Sequence, residues 1–452
     1  MELMQMSRIK IKDNSRIPKE SLSGISLLTS KIADKTLEQL ENEGIFVFPE
    51  ILRDADDITK DQMILQSVNN YYLSSNVMGF MGLGDEKLIV ESRFSGNGQD
   101  FLFQYLLERV FDVPNIVDLE TDANNDDRIF NLLVFIFPHY LKSAMRKGVF
   151  KTYVRKTYND SNVKGTIDIA RHIVKNTPFV GNVAYSQREY SFDNDLMELI
   201  RHTVEFIKYK SYGHKLLAQV KDEVKDVVAT TPNYEMCNRH KIIDANKNNT
   251  IRHAYYREYR ELQNLCLLIL QHQKHQIGMG SKKVYGLLFD GAWLWEEYMN
   301  SIVDEIFYHP MNKATKGSQR LFDHNRGLIY PDFISRDSEA RVIADAKYKP
   351  IDNIGNKDYL QVLAYMFRFD AKKGFYFYPE MGEEEDAVMW LNRGSTYEKN
   401  VEAREDICLI KHGFQIPTGI DVYSVFTEQM RCNEIKFLDG ILTSVKKGKY
   451  TF

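Results

Sequence analysis

The sequence predicts a mixed α/β, multidomain protein. It divides into an N-terminal α+β domain over residues 1–125, a mainly helical middle domain over 126–280 and a C-terminal α/β domain over 281–452. Three observations carry this. Residues 76–93 (NVMGFMGLGDEKLIVESR) alternate glycine with apolar residues and imply a hairpin turning at Gly84-Asp85. Residues 195–210 and 251–272 have the apolar spacing of helices. Residues 327–335 (GLIYPDFIS) and 340–349 (ARVIADAKYK) read as two strands around a polar turn.

In order, 38–50 (EQLENEGIFVFPE) passes from a helical pattern into a strand, and the polar 122–127 (DANNDD) is the first boundary. The glycines of 277–281 (IGMGS) interrupt the helical pattern and mark the second. Residues 289–300 (FDGAWLWEEYMN) form an amphipathic helix with Trp293, Leu294 and Met299 as packing residues. Residues 358–365 (DYLQVLAY) form another, and the acidic 383–386 reads as a solvated loop.

The chemistry concentrates between the two C-terminal strands. Period-2 alternation puts Ile343, Asp345 and Lys347 on one face. A turn symmetric about Asp337 and Ser338 sets Asp332 opposite Ile343, with Asp345 its diagonal neighbour at roughly 7–8 Å. Two carboxylates at that spacing can share Mg²⁺, which takes one or two carboxylates and completes its octahedron with water and phosphate oxygen. Lys347 points the same way, toward a phosphate oxygen or the attacking water. Gln361 and Tyr365 lie i, i+4 on one helix face. The bland alternative is a solvated hairpin that happens to carry Asp and Lys. The flanks argue against it: a helix glutamate (Glu296 or Glu297), Pro331-Asp332, Asp345-Ala346-Lys347 and Gln361…Tyr365 follow the order of the PD-(D/E)xK nucleases, and the Q-x-x-x-Y spacing resembles their RecB-like branch. That resemblance implies a restriction-endonuclease-like C-terminal domain. Asp332, Asp345 and Glu296 would be metal ligands, and Lys347, Gln361 and Tyr365 would complete the catalytic set.

Composition bounds the rest. A net charge of −4 gives no global field for nucleic acid, so contacts must be local. One such patch is 139–164, which carries Lys142, Arg146, Lys147, Lys151, Arg155, Lys156 and Lys164 against a single acid, Asp160, with Tyr140, Phe150, Tyr153 and Tyr158 interleaved. It reads as a track for a phosphate backbone or, equally, as the solvated face of a helix leading into a strand. Arg188-Glu189-Tyr190 reads as a structural ion pair or an interface element. Cys237, Cys266, Cys408 and Cys432 have neither zinc nor disulfide spacing, which points to a reducing cytoplasm. The start lacks a signal-peptide core, and the longest apolar run, 130–138, is too short for a membrane span. No GxxxxGK[ST] occurs, so no P-loop nucleotide site is expected.

The whole chain resembles the McrC-type restriction subunits, and among them the LlaJI-type restriction endonucleases. The resemblance rests on the hairpin of 78–96 ending in Ser92-Arg93-Phe94, where the family has a Pro-Lys-Phe-like segment. It rests also on KGTIDIARHI (164–173), YSFDNDLMELIRHTVEFI (190–207), LFDGAWLWEEYM with Glu296 rather than Glu297 at the family glutamate, and the nuclease motifs above. It implies a Mg²⁺-dependent endonuclease subunit acting on double-stranded DNA in antiviral defence. Its partner would be a McrB-like AAA+ GTPase hexamer, which alone binds GTP and whose hydrolysis the subunit stimulates through residues 1–125. Deleting those residues is expected to leave a folded nuclease domain. The alternatives are a non-catalytic activator and assembly subunit that only binds DNA, or a RecB-type repair nuclease acting on RNA or single strands.

Overall fold

The structure, a computed structural model, describes residues 7–43, 45–48, 62–96, 100–110, 125–210, 212–251, 254–271, 284–310, 319–382, 386–393 and 402–446. The sequence breaks at 122–124 and 277–281, and residues 383–385 of the acidic run, lie outside these. The chain gathers into two compact units, Met1–Val117 with Gly278–Phe452, and Asp118–Ile277.

In the first unit a five-stranded sheet runs in the order Ser7–Lys12, Glu86–Glu91, Val77–Leu83, Tyr285–Asp290, Ile45–Phe48. The expected hairpin is its centre, with Gly84 at φ +59° supplying the turn. The helix-to-strand passage is also present, as Leu37–Glu43 followed by Ile45–Phe48. Gly79, at φ +138°, lets Val77–Leu83 press against Tyr285–Asp290; a Cβ there would lie 2.1 Å from the Leu287 carbonyl oxygen. Met81, Leu88, Val90 and Leu288 pack with Leu28, Ile32 and Leu40 in one buried cluster. Strands from residues 1–125 and from beyond 281 therefore share one sheet and one core.

The six-stranded sheet of this unit runs Phe307–Tyr308, Phe333–Ser335, Val342–Ala346, Lys373–Glu380, Glu402–Gln415, Ala387–Arg393. Val342–Ala346 and Lys373–Glu380 are parallel, joined through the helix Asn356–Arg368. That helix sets Val362, Tyr365 and Met366 on Ile343, Tyr376 and Tyr378. On the other face Phe377 and Phe414 meet Phe437 of the helix Tyr423–Lys446, and Trp295 of the helix Gly291–Val303 meets Phe414. In Gly291–Val303, Leu294 and Met299 are buried as expected. The fully buried tryptophan is Trp295, whose indole N–H donates to the Phe377 carbonyl, while Trp293 is only half-buried.

Residues 327–335 do not form one strand. Leu328–Ile329 pairs with Gln319–Arg320 in a separate ribbon. Pro331, which cannot donate to a ladder, separates it from Phe333–Ser335.

The second unit is built on the helices Asn125–Met145, Asp195–Lys208 and Arg257–Gln271. Asn194 caps the second, accepting the Met197 N–H at 3.2 Å. The unit also carries a three-stranded sheet, Thr152–Asp160, Val183–Ser191 and Thr166–Ile167.

Candidate active site

The register of the two C-terminal strands pairs Phe333 with Ala344 and Ile334 with Ile343. This differs from the symmetric turn expected from the sequence. The Asp337 side chain accepts the N–H groups of Glu339 and Ala340 at 2.9 and 3.2 Å, and Ser335 Oγ accepts the Val342 N–H at 2.9 Å. The turn centre moves by one residue and the faces are preserved; carried one step past the Phe333–Ala344 pair, this register would set Asp332 level with Asp345 rather than diagonal to it. The Ala346 N–H donates to Asp332 Oδ2 at 2.9 Å, holding that carboxylate at the end of the ladder.

Asp345 is buried, at 1% exposure. Its Oδ2 lies 2.7 Å from Lys347 Nζ, on the same face of the strand, as an ion pair without the angle of a directed hydrogen bond. Burial pushes the Asp345 carboxyl up, Lys347 pulls it back, and the carboxylates of Asp358 and Glu296 push it further up. Burial works against the Lys347 ammonium, but Asp345, Asp332 and Asp358 outweigh it and raise its pKa, so it keeps its proton.

Lys347 Nζ also lies 3.3 Å from Gln361 Oε1 and 3.7 Å from Asp358 Oδ1. The Gln361 amide donates to Tyr365 Oη at 2.7 Å, and Tyr365 Oη takes the Tyr330 N–H at 3.4 Å. The structure thus brings Asp332, Asp345, Lys347, Gln361 and Tyr365 together. Glu296 joins through a residue that sequence reasoning missed. His309 lies with Nε2 3.7 Å from Glu296 and 3.8 Å from Glu297, and its Nδ1 is 2.7 Å from the Asp332 carbonyl oxygen. A carbonyl only accepts, so Nδ1 carries a proton. Burial disfavours the imidazolium, but Glu297 and Glu296 outweigh it and raise the His309 pKa. Read alone, a histidine among eleven scattered ones carried no signal.

Asp358 was also missed. It accepts Gly355 N–H at 3.0 Å and Lys349 Nζ at 2.7 Å. Its carboxyl lies below the ordinary value although burial opposes this, because Lys349, Gly355 and Lys347 favour the charge. The Gly355…Asp358 spacing at a helix start was the available signal. On the far side of Lys347, Tyr348 Oη lies 2.6 Å from Ser92 Oγ, and Arg93 stacks 4.8 Å over the Tyr348 ring while pairing with buried Asp13 at 2.7 Å. The Ser92-Arg93-Phe94 segment is therefore packed against the residue next to Lys347.

Among the described residues no three His, Cys, Asp or Glu side chains form a ready metal cage. The donors are two carboxylates, one of them buried with an oxygen that no directed hydrogen bond holds. That donor set fits magnesium, which uses few protein ligands and keeps its waters.

The six basic residues of the middle segment do not share one face. Lys142 lies in the last turn of Asn125–Met145, and Arg146 follows it, exposed. Lys147 is bound by Glu258 at 2.6 Å. Lys156 pairs with Glu189 at 3.8 Å on one side of the sheet, whereas Arg155 bonds Ser186 Oγ on the other, and Lys151 stands 4.8 Å over the Tyr190 ring.

Among the described residues no helix is long and apolar enough to cross a membrane. Comparison with solved structures finds a chain in the refined half-complex from the tetradecameric assembly of Thermococcus gammatolerans McrB AAA+ hexamers with bound McrC. It is 14% identical, with a TM-score of 0.48, over 96% of this chain and 100% of that one. A second likeness is to a chain of the Thermococcus gammatolerans McrBC complex, 14% identical, with a TM-score of 0.29, over 66% of this chain and 87% of that one. No curated protein matches. The model of the family described as McrBC 5-methylcytosine restriction system component matches residues 73–379, which is more than half of the sequence and spans both the Ser92-Arg93-Phe94 segment and the acidic cluster, and so the chain belongs to the McrBC family.

Proposed function

We propose that this chain is the McrC-type, LlaJI-like subunit of a restriction system and cleaves DNA phosphodiester bonds with magnesium through a PD-(D/E)xK domain. The observation that carries the proposal is the buried Asp345 carboxylate, contacted by Lys347 and next to the Ala346 N–H that holds Asp332, inside a family of restriction components.

Asp332 and Asp345 would hold the metal, with Glu296 contributing directly or through water. Bound there, magnesium makes a water molecule more acidic and neutralises charge on the scissile phosphate. The protein's own groups do the rest. Asp332 is fixed by the Ala346 N–H and does not need to reorganise. Lys347, kept protonated by three carboxylates, places a positive charge where a phosphate oxygen gathers negative charge. Gln361 and Tyr365 tether that ammonium from the helix Asn356–Arg368 and would steady the backbone of the bound strand. His309 aligns the Glu296 helix with the Asp332 backbone.

The Thermococcus gammatolerans assembly pairs McrC with McrB AAA+ hexamers. We carry that pairing to this chain: a GTP-hydrolysing ring would be its partner, since the sequence has no P-loop of its own. The second reading keeps the same family and ring partner and makes the chain an activator that binds DNA without cutting it. Supercoiled plasmid incubated with the chain, its ring partner, GTP and either Mg²⁺ or EDTA separates the two. Linearisation only with Mg²⁺ supports the nuclease. Full GTPase stimulation without any nicking supports the activator.

A further inference from the structure

The strand pair Thr152–Asp160 and Val183–Ser191 segregates its charges by face. Register sets Arg155 opposite Arg188, Tyr153 opposite Tyr190 and Thr157 opposite Ser186. Like charges directly opposite one another destabilise a sheet unless something neutralises them. The acids of this strand pair, Asp160 and Glu189, belong to the other face, where Glu189 engages Lys156. Among the described residues, Arg155 is hydrogen-bonded to a hydroxyl, Ser186 Oγ, at 2.8 Å and to no carboxylate. Arg188 lies 5.6 Å over the Tyr153 ring, and Lys151 stands 4.7 Å over Phe192. Tyr153 and Tyr190, with ring centroids 5.0 Å apart, remain 63% and 51% exposed, and Phe192 remains 42% exposed. Three cations without a carboxylate among the described residues thus alternate with three exposed rings.

We infer that this face binds single-stranded DNA, with bases stacking on Tyr153 and Tyr190 and phosphates meeting Arg155, Arg188 and Lys151. Rings left half or more exposed, each flanked by a cation, serve a strand whose bases are open, since bases stacked within a duplex present no face to them. The guanidinium groups supply the sequence-independent anchor. The inference shares with the proposed function only the premise that the chain works on DNA, and its site is distinct from the acidic cluster.

The test uses the full chain in EDTA, where cleavage plays no part, and fluorescence anisotropy of a labelled oligothymidylate. Each base–aromatic stack is worth enough that Tyr153→Ala or Tyr190→Ala should weaken binding by about fivefold or more. Arg155→Gln with Arg188→Gln should lower the slope of log affinity against log salt by about 0.7 per arginine removed. These side chains are exposed, so unchanged thermal melting identifies the losses as binding losses. Unchanged affinity in all variants would overturn the inference, as would equal or stronger binding of a duplex of the same length. Failure of plasmid cleavage in magnesium would overturn the proposed function and leave this assay as it stands.

Discussion

Around Lys347 each residue has a graded task, and the contacts rank the losses. Gln361 touches Lys347 and Tyr365 but supplies no charge. Gln361→Ala should therefore slow cleavage by about ten- to a hundredfold, as supporting partners of a metal site do. A single-turnover assay at saturating Mg²⁺ measures it, and a loss as complete as removal of a carboxylate would mean that Gln361 reaches the reacting atoms. His309 makes a pH prediction. Its folded pKa is raised above the ordinary value of 6.5. The stability it contributes is then fully present below 6.5 and is lost as pH rises through the folded value. In EDTA, the gap in unfolding free energy between wild type and His309→Gln should be widest below the ordinary histidine value and should shrink as pH rises above it. A gap independent of pH would show that the imidazole packs there as a neutral group.

Elements tell a different story from motifs. The helices Gly291–Val303, Asn356–Arg368 and Asp195–Lys208 were legible because apolar spacing and capping residues are local signals. The five site residues drawn together at Asp345 were legible for the same reason, since strand alternation and helical i, i+4 spacing fix faces without tertiary information. The register across 336–341 was not legible, because Asp337 makes two side-chain bonds that recentre the turn. Nor was the strand Tyr285–Asp290 legible as a partner of both Val77–Leu83 and Ile45–Phe48, because pairing at that sequence distance leaves no local trace. This pairing alters the expected result of truncation. Removing residues 1–125 strips both neighbours from Tyr285–Asp290 and uncovers Leu287, Leu288 and Phe289, which are all buried. The remainder should aggregate or lose its cooperative unfolding transition. A soluble fragment with a sharp melt would contradict this account and restore an independently folding C-terminal domain.

At the scale of the whole molecule, the N-terminal strands and the acidic cluster share one unit, and the Ser92-Arg93-Phe94 segment reaches the residue beside Lys347. A ring partner engaging the N-terminal part would have a packed path to the acidic cluster rather than a loose tether. The overall charge of −4 gives the chain no global field to hold a duplex unaided, so the partner's hold on the duplex should limit cleavage. The most direct test is plasmid cleavage by wild type and Asp345→Ala, each with the ring partner, GTP and Mg²⁺, with GTP hydrolysis followed in the same tubes. The account predicts that Asp345→Ala loses at least about a hundredfold in cleavage while stimulating GTP hydrolysis as the wild type does. Cleavage by Asp345→Ala at the wild-type rate would contradict it.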